Sequence, residues 1–216
     1  MRITGGEFGG RNLKVPKSDA IRPTQDRVRE AVFNIIQFEV AGSDFLDLFA
    51  GSGAVGLEAL SRGAKSATFV ERERRHIAVL QENLGSLGSH RVGIEACGGV
   101  GMDPKRRLQT LSDAKVVSAD AYRWLDSYSG PGFSIGFADP PYALGEEKGY
   151  ASVLATLAAR GVIRPGGLFI AEMTAVQRAE ETPGWDLLRD RTYGKTRLCV
   201  WRRLETEASK QEGEGK

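Results

Sequence analysis

The sequence predicts an α/β fold: a doubly wound, mostly parallel seven-stranded sheet with an antiparallel edge hairpin, plus an N-terminal β-hairpin. Three observations carry this. Short apolar runs alternate with amphipathic stretches along most of the chain. One run, residues 45–49, enters the turn Gly51-Ser52-Gly53-Ala54-Val55-Gly56 and then a helix-forming stretch. A second, Phe133-Ser134-Ile135-Gly136-Phe137-Ala138, ends at Asp139-Pro140-Pro141-Tyr142. Repeated strand–helix alternation implies parallel strands covered on both faces.

Taken in order, residues 3–15 are punctuated by glycines and predict the N-terminal hairpin. Residues 26–40 predict a helix, with Val28, Ala31, Val32, Ile35 and Ile36 at helical spacing. The first strand, 45–49, precedes a helix over 54–61. A strand over 67–70 precedes a helix over 74–84. Lys115-Val116-Val117-Ser118 reads as the next strand, ending at Ala119-Asp120, with a helix through Trp124-Leu125. The strand before Asp139 leads to a helix over 147–159 and a strand over 167–172. The last pair, 185–191 with 196–202, forms the antiparallel edge.

Residues 93–114 are glycine-rich at Gly98-Gly99-Val100-Gly101 and basic at Lys105-Arg106-Arg107, and are expected to be an insertion, a hairpin or loop. They lack the pattern of a phosphate loop. The tail over 205–216 has no aromatic residue and is expected to be disordered. One domain over 1–204 is therefore expected, with 1–25 as a basic hairpin and extension.

Composition narrows the function classes. Lys and Arg total 30 against 28 acids, a net charge of +2, which by itself says little about nucleic acid. The distribution says more, because Arg2, Arg11, Lys14, Lys17, Arg22, Arg27 and Arg29 crowd the first thirty residues. No run is apolar enough to span a membrane, and no signal-peptide core is seen. The two cysteines, Cys97 and Cys199, offer no disulfide framework, which fits a reducing cytoplasm. With only His76 and His90 beside them, no metal site is expected. Cys199 is expected to pack in the core.

Two motifs carry chemistry. An acid, two prolines and an aromatic at a strand end suit a flat base bearing an exocyclic amine. Asp139 can accept an N–H, the prolines hold local carbonyls without competing donors, and Tyr142 can stack. An ordinary Asp-Pro turn is the plainer reading. The stretch from Gly51 to Gly56 fits G-x-G-x-x-G, and Glu71 ends the next strand at the spacing for ribose recognition. That leaves a dinucleotide or S-adenosylmethionine as cofactor. Asp47, four residues before Gly51, would repel pyrophosphate but suits a sulfonium and an ammonium, so S-adenosylmethionine fits better. The plainer reading is that Asp47 only caps the turn.

Asp47-Leu48-Phe49-Ala50-Gly51-Ser52-Gly53 together with Asp139-Pro140-Pro141-Tyr142 resembles the methyltransferases that alkylate exocyclic nitrogens of adenine, cytosine or guanine. The segments over 2–16 and 22–34 resemble the bacterial 16S ribosomal RNA guanine-N2 methyltransferases. So do Leu57-Glu58-Ala59-Leu60-Ser61-Arg62-Gly63-Ala64 and Tyr193-Gly194-Lys195-Thr196. The resemblance covers nearly the whole chain except 93–114 and the tail. It implies a Rossmann-like single domain acting on 16S rRNA in an assembled or assembling small subunit.

In such a fold, ligands bind beyond the C-terminal strand ends. Asp47, Glu71, Asp120 and Asp139 all fall there. Glu71, with Arg72 beside it, would bind the ribose hydroxyls. Asp120 would accept from the adenine amine and could also cap a helix, and the Ala121 N–H would meet the ring. Phe49, Ala50, Gly51 and Gly53 would approach the amino-acid moiety. Asp139 and the Pro140 carbonyl would accept the two amine N–H groups, with Pro141 and Tyr142 completing the acceptor site. Arg2, Arg11, Lys14, Arg22, Thr24 and Arg27 are expected on the RNA side. Tyr193 and Lys195 are a second RNA contact or an ordinary turn. A monomer is expected. The rival functions are an adenine-N6 methyltransferase of DNA or RNA, a dinucleotide-dependent oxidoreductase, and a non-catalytic RNA-binding module.

Overall fold

A computed structural model describes residues 1–16, 23–88, 92–96, 113–140 and 150–205. The chain divides into two compact units, Met1–Trp124 and Leu125–Lys216.

The first unit is built on four parallel strands in the order β3-β4-β2-β1: β1 (Asp44–Leu48), β2 (Ser66–Glu71), β3 (Val92–Ala96) and β4 (Asp113–Ser118). Phe45, Leu46 and Leu48 are fully buried on β1, as are Phe69 and Val70 on β2. Burial on both faces is what a parallel strand requires, and it explains the continuous apolar runs. Each such side chain contributes roughly 1.5–3 kcal/mol of burial. The register sets Asp47 opposite Phe69, and Glu71 opposite Ser118.

Helices α1 (Pro23–Ile35), α2 (Ala54–Ser61) and α3 (Arg74–Ser86) belong to this unit, which ends at Trp124 within α4 (Ala121–Ser127). Pro23 opens α1, a first helical position where its missing N–H costs nothing. The helix ends at Ile35 rather than Val40, and the chain turns through Gly42 at φ +74°. α2 is buried at every position but Val55. A Cβ on Gly56 would come within 2.3 Å of the Phe69 ring, so the third glycine of the motif permits the contact of α2 with β2.

The second unit holds β5 (Phe133–Ala138), β6 (Ile163–Thr174), β7 (Trp185–Tyr193), β8 (Thr196–Arg203) and helix α5 (Tyr150–Ala159). β5 and β6 are parallel, whereas β8 runs antiparallel to both β6 and β7. Trp201 stacks on Tyr150 and Phe169 at 6.3 and 6.2 Å. Cys199 is fully buried in this core, as expected. β7 buries Trp185 but carries exposed charge at Asp186, Arg189 and Arg191, a common protection for an edge strand.

All seven expected strands are present. An eighth, β3, begins at Val92 and runs into the stretch over 93–114 read as an insertion, and it pairs with β4, which itself begins in that stretch at Asp113. Lys105-Arg106-Arg107, Cys97 and the tail over 206–216 lie outside the described residues. The N-terminal hairpin takes its smallest form. One bridge joins Arg2 to Asn12, flanked by Ile3 N–H to the Arg11 carbonyl at 3.0 Å and Leu13 N–H to the Met1 carbonyl at 2.9 Å.

Candidate active site

The turn after β1 carries the strained residue of the site. Phe49 has φ +63°, in the left-handed region that a side chain disfavours. Its ring packs edge-on against Tyr122 with centroids 5.5 Å apart. Ala50 N–H reaches back to the Val70 carbonyl at 3.1 Å, and Gly53 N–H closes the turn on the Ala50 carbonyl at 2.7 Å. Gly53 is left-handed at φ +82°, and a Cβ there would sit 2.2 Å from Leu80 of α3. At Gly51 a Cβ would meet nothing nearer than the Phe49 carbonyl at 4.0 Å, so this side of the turn is open.

Glu71 organises the open side. Oε2 accepts Gly51 N–H at 2.8 Å, and Oε1 accepts the N–H groups of Arg72 and Glu73 at 2.8 Å each. His76 Nδ1 lies 3.7 Å from Oε2. A carboxylate offers about four acceptor positions, so three are already spoken for by backbone. The acid is fixed in place before any ribose is held.

Asp47 is 2% exposed and accepts Gly56 N–H at 2.9 Å. It therefore braces the first turn of α2. Burial pushes its carboxyl up to about 7, against the Gly56 bond, which favours the charged form; the nearby Glu71 charge adds to the rise.

Asp120 Oδ1 accepts Arg123 N–H at 3.1 Å and caps α4, the role expected beside binding. Its other oxygen lies 3.5 Å from Arg72 Nη1. Ala121 is buried at the start of α4. Tyr122, which the sequence reading passed over, is half-buried against Phe49. Its hydroxyl is pushed up by burial and then by the Asp120 charge.

These residues share the first unit, and they make a donor set of definite character. Gly51 to Gly53 expose backbone beside carboxylates, and the turn itself contains no Lys or Arg. That suits a cationic, hydroxyl-bearing ligand and disfavours a pyrophosphate, so S-adenosylmethionine fits the residues present.

In the second unit, β5 is buried at all six positions and ends in Asp139, half-buried, and Pro140, buried. Pro141 and Tyr142 lie outside the described residues, as does Arg22. Of Thr24 only the helical backbone in α1 is described, and Arg27 is exposed. Tyr193 and Lys195 flank Gly194, φ +61°, in the two-residue turn between β7 and β8.

The side chains of Arg11 and Lys14 are engaged within the protein. Arg11 donates to the Ser86 carbonyl at 3.1 Å and stacks over Phe8 at 5.1 Å. Lys14 pairs with Glu82 at 2.8 Å, both largely exposed. The exposed Arg2 offers its carbonyl to Arg29. Glu58, an unflagged residue, is the anchor of this segment. It is fully buried, accepts both the N–H and the hydroxyl of Thr4 at 2.8 and 2.7 Å, and pairs with Arg62 at 2.8 Å and Arg29 at 3.4 Å. Ser61 adds bonds to Gly5 and Phe8. Residues 1–16 thus form a strap tied to α2.

No group of three or more metal-binding side chains occurs among the described residues, and no helix among them is long and apolar enough to cross a membrane.

Residues 1–202 match the family model described as Conserved hypothetical protein 95. Ribosomal RNA small subunit methyltransferase D of Escherichia coli K12 is 34% identical, with 94% of this chain and 90% of that protein covered. The protein of the same name from Haemophilus influenzae is 30% identical over 90% and 89%. The solved structure of the Escherichia coli yhhF protein is 32% identical with a TM-score of 0.76, covering 95% of this chain and 99% of that one. Its fold is that of the Rossmann-like methyltransferases. A match across so much of the sequence, at this level of identity, means that the chain belongs to the Conserved hypothetical protein 95 family, that of ribosomal RNA small subunit methyltransferase D.

Proposed function

We propose that this chain transfers a methyl group from S-adenosylmethionine to the exocyclic N2 of a guanine in 16S ribosomal RNA. The observation that carries the reading is the Gly51 N–H held by Glu71 at 2.8 Å, in a turn flanked by carboxylates and free of basic side chains. The names of its relatives, ribosomal RNA small subunit methyltransferase D, agree with it.

When bound, S-adenosylmethionine supplies an electrophilic methyl group on a sulfonium. The chain's own residues hold and orient. Glu71 would accept from the ribose hydroxyls with its remaining capacity, and Asp120 from the adenine amine, with the Ala121 N–H toward the ring. Backbone over 50–53 would meet the amino-acid moiety, and Asp47 would balance its positive charge.

The guanine amine is a weak nucleophile because its lone pair is delocalised into the purine. Asp139 and the Pro140 carbonyl would each accept one amine N–H, turning the lone pair out of the ring plane and stabilising charge on nitrogen. The new N–C bond takes the nitrogen lone pair. The sulfonium would supply the methyl group and keep the S–C electron pair, and the surplus N2 proton would depart to Asp139 or water. Tyr142 would stack on a base that is unpaired or flipped out. Arg2, Arg11, Lys14, Arg22, Thr24, Arg27, Tyr193 and Lys195 would meet RNA. The exposed ion pair of Lys14 with Glu82 is cheap to exchange for phosphate.

The substrate context in this reading is an assembled or assembling small subunit, met in the cytoplasm by a monomer whose two units act as one domain. The test is transfer of labelled methyl from S-adenosylmethionine to unmodified small subunits, followed by nucleoside analysis. N2-methylguanosine in 16S rRNA is the expected product. N6-methyladenosine would transfer the chemistry to adenine, and no label on any RNA would end the reading.

A further inference from the structure

α3 presents an apolar stripe in which Ile77, Leu80 and Leu84 are buried. Asn83 lies in the same stripe and is as deeply buried, 1% exposed. A buried amide carries donors and an acceptor that must all be met. Asn83 Oδ1 accepts Lys14 N–H at 2.8 Å, and Nδ2 donates to the Lys14 carbonyl at 3.0 Å. Nδ2 also donates to the Ser52 carbonyl at 3.0 Å. One planar group therefore reads the strap as a neighbouring strand would, and also grips the middle of the glycine turn. Ser52 is one residue from the Gly51 N–H held by Glu71. Because the amide is planar, strap and turn cannot shift independently without leaving a buried donor unpaired.

The strap next to this contact is basic and exposed. Lys14 and Arg11 lie along α3, reaching Glu82 and the Ser86 carbonyl. A phosphate drawing on these side chains pulls on the segment that Asn83 holds.

We propose that Asn83 is a positioning residue that couples the N-terminal strap to the glycine turn, so that RNA engaged by the strap tightens cofactor binding. The proposal rests on the function given above. Such coupling is reciprocal, so cofactor tightens RNA binding by the same factor. A merely structural Asn83 would stabilise the unit and leave the two affinities independent.

The experiment titrates the full chain with S-adenosylhomocysteine, alone and with saturating unmodified small subunits, for wild type, Asn83→Leu and Asn83→Asp. Wild type is expected to bind S-adenosylhomocysteine about fivefold or more tightly with subunits present, within the usual range of coupling. Asn83→Leu is expected to melt cooperatively yet lose that tightening. Asn83→Asp keeps the shape and the acceptor for Lys14 N–H but loses both donors, so it serves if the leucine variant does not fold, with the same loss expected. A variant that keeps the wild-type tightening, or a wild type that shows none while binding both partners, overturns the coupling. A wild type that binds neither partner defeats the functional reading itself.

Discussion

The Glu71 carboxylate and the Gly51 N–H meet at 2.8 Å, across the mouth of the first strand–turn–helix unit. The acid is therefore part of the turn's own structure as well as a candidate ligand-binding group. Glu71→Ala removes the acceptor of three backbone N–H groups at once. It should cost roughly 2–4 kcal/mol of stability, at about 1 kcal/mol or more per charge-assisted bond, and weaken cofactor binding by at least about tenfold. Glu71→Gln should lose less stability while still weakening binding. Denaturant melts and calorimetric titration check both. Unchanged affinity in the alanine variant would remove Glu71 from the binding site.

Asp47 predicts a pH dependence with a definite sign. Its carboxyl is at about 7 in the folded chain against 3.8 in the unfolded one. The folded state therefore binds the extra proton between those values, and stability from this group is fully present below pH 4. It is lost as pH rises toward 7 and is flat above, on the order of 4 kcal/mol in all. Cofactor affinity should run the other way, falling below pH 7 as the counter-charge to the cation is neutralised. Asp47→Asn keeps an acceptor for Gly56 N–H and should flatten both profiles. Melts and cofactor titrations between pH 5 and 8 decide it.

Phe49 should reverse the usual order of alanine and glycine. At φ +63° a Cβ is strained by roughly 1 kcal/mol, whereas glycine is not. Phe49→Ala loses the ring contact with Tyr122 and keeps the strain; Phe49→Gly loses the contact and relieves it. The glycine variant should be the more stable of the two by about 1 kcal/mol in chemical denaturation, the opposite of what a helix or strand interior shows. Equal stabilities would mean that the turn carries no strain.

Asp139→Ala should bind cofactor like wild type and lose about a hundredfold or more in turnover, the scale of losing one aimed acceptor in a transition state. Single-turnover methyl transfer beside a cofactor titration separates the two effects. Near-normal turnover would take Asp139 out of the chemistry.

Glu58→Ala leaves the buried Arg29 to the Asp26 carboxylate at 3.0 Å and removes the charged acceptor shared by Thr4 and Arg62, a loss of about 1.5–3 kcal/mol. It also frees the Thr4 groups, so limited proteolysis should cut within 1–16 far faster than in wild type. Unaltered protection would mean that the strap is held elsewhere.

What the sequence revealed and what it hid follow one physical division. Parallel strands buried on both faces write themselves as apolar runs, so 45–48 and 133–138 were readable, and the left-handed and close-packed glycines marked the turn from the first of these into α2. β3 was not readable, because five residues holding Gly93 and Glu95 among further glycines carry no such run. Asn83 and Glu58 look like ordinary polar positions on helices. Their partners include backbone groups more than fifty residues away, at Thr4 and Lys14, and local periodicity carries no trace of those. Asp47 was found through charge logic about the ligand, while the bond it makes is to Gly56, a contact that strand patterning alone could not have supplied.

The strap has a temporal side. Thr4 and Phe8 bind residues 54 and 53 positions later, and Lys14 waits for Asn83, 69 positions on. Thr4 and Phe8 therefore have no docking site until α2 has been made, and Lys14 has none until α3 follows. Closing so wide a loop costs entropy that only the finished strand–turn–helix unit can offset. The strap is therefore expected to settle only after α2 and α3 have formed.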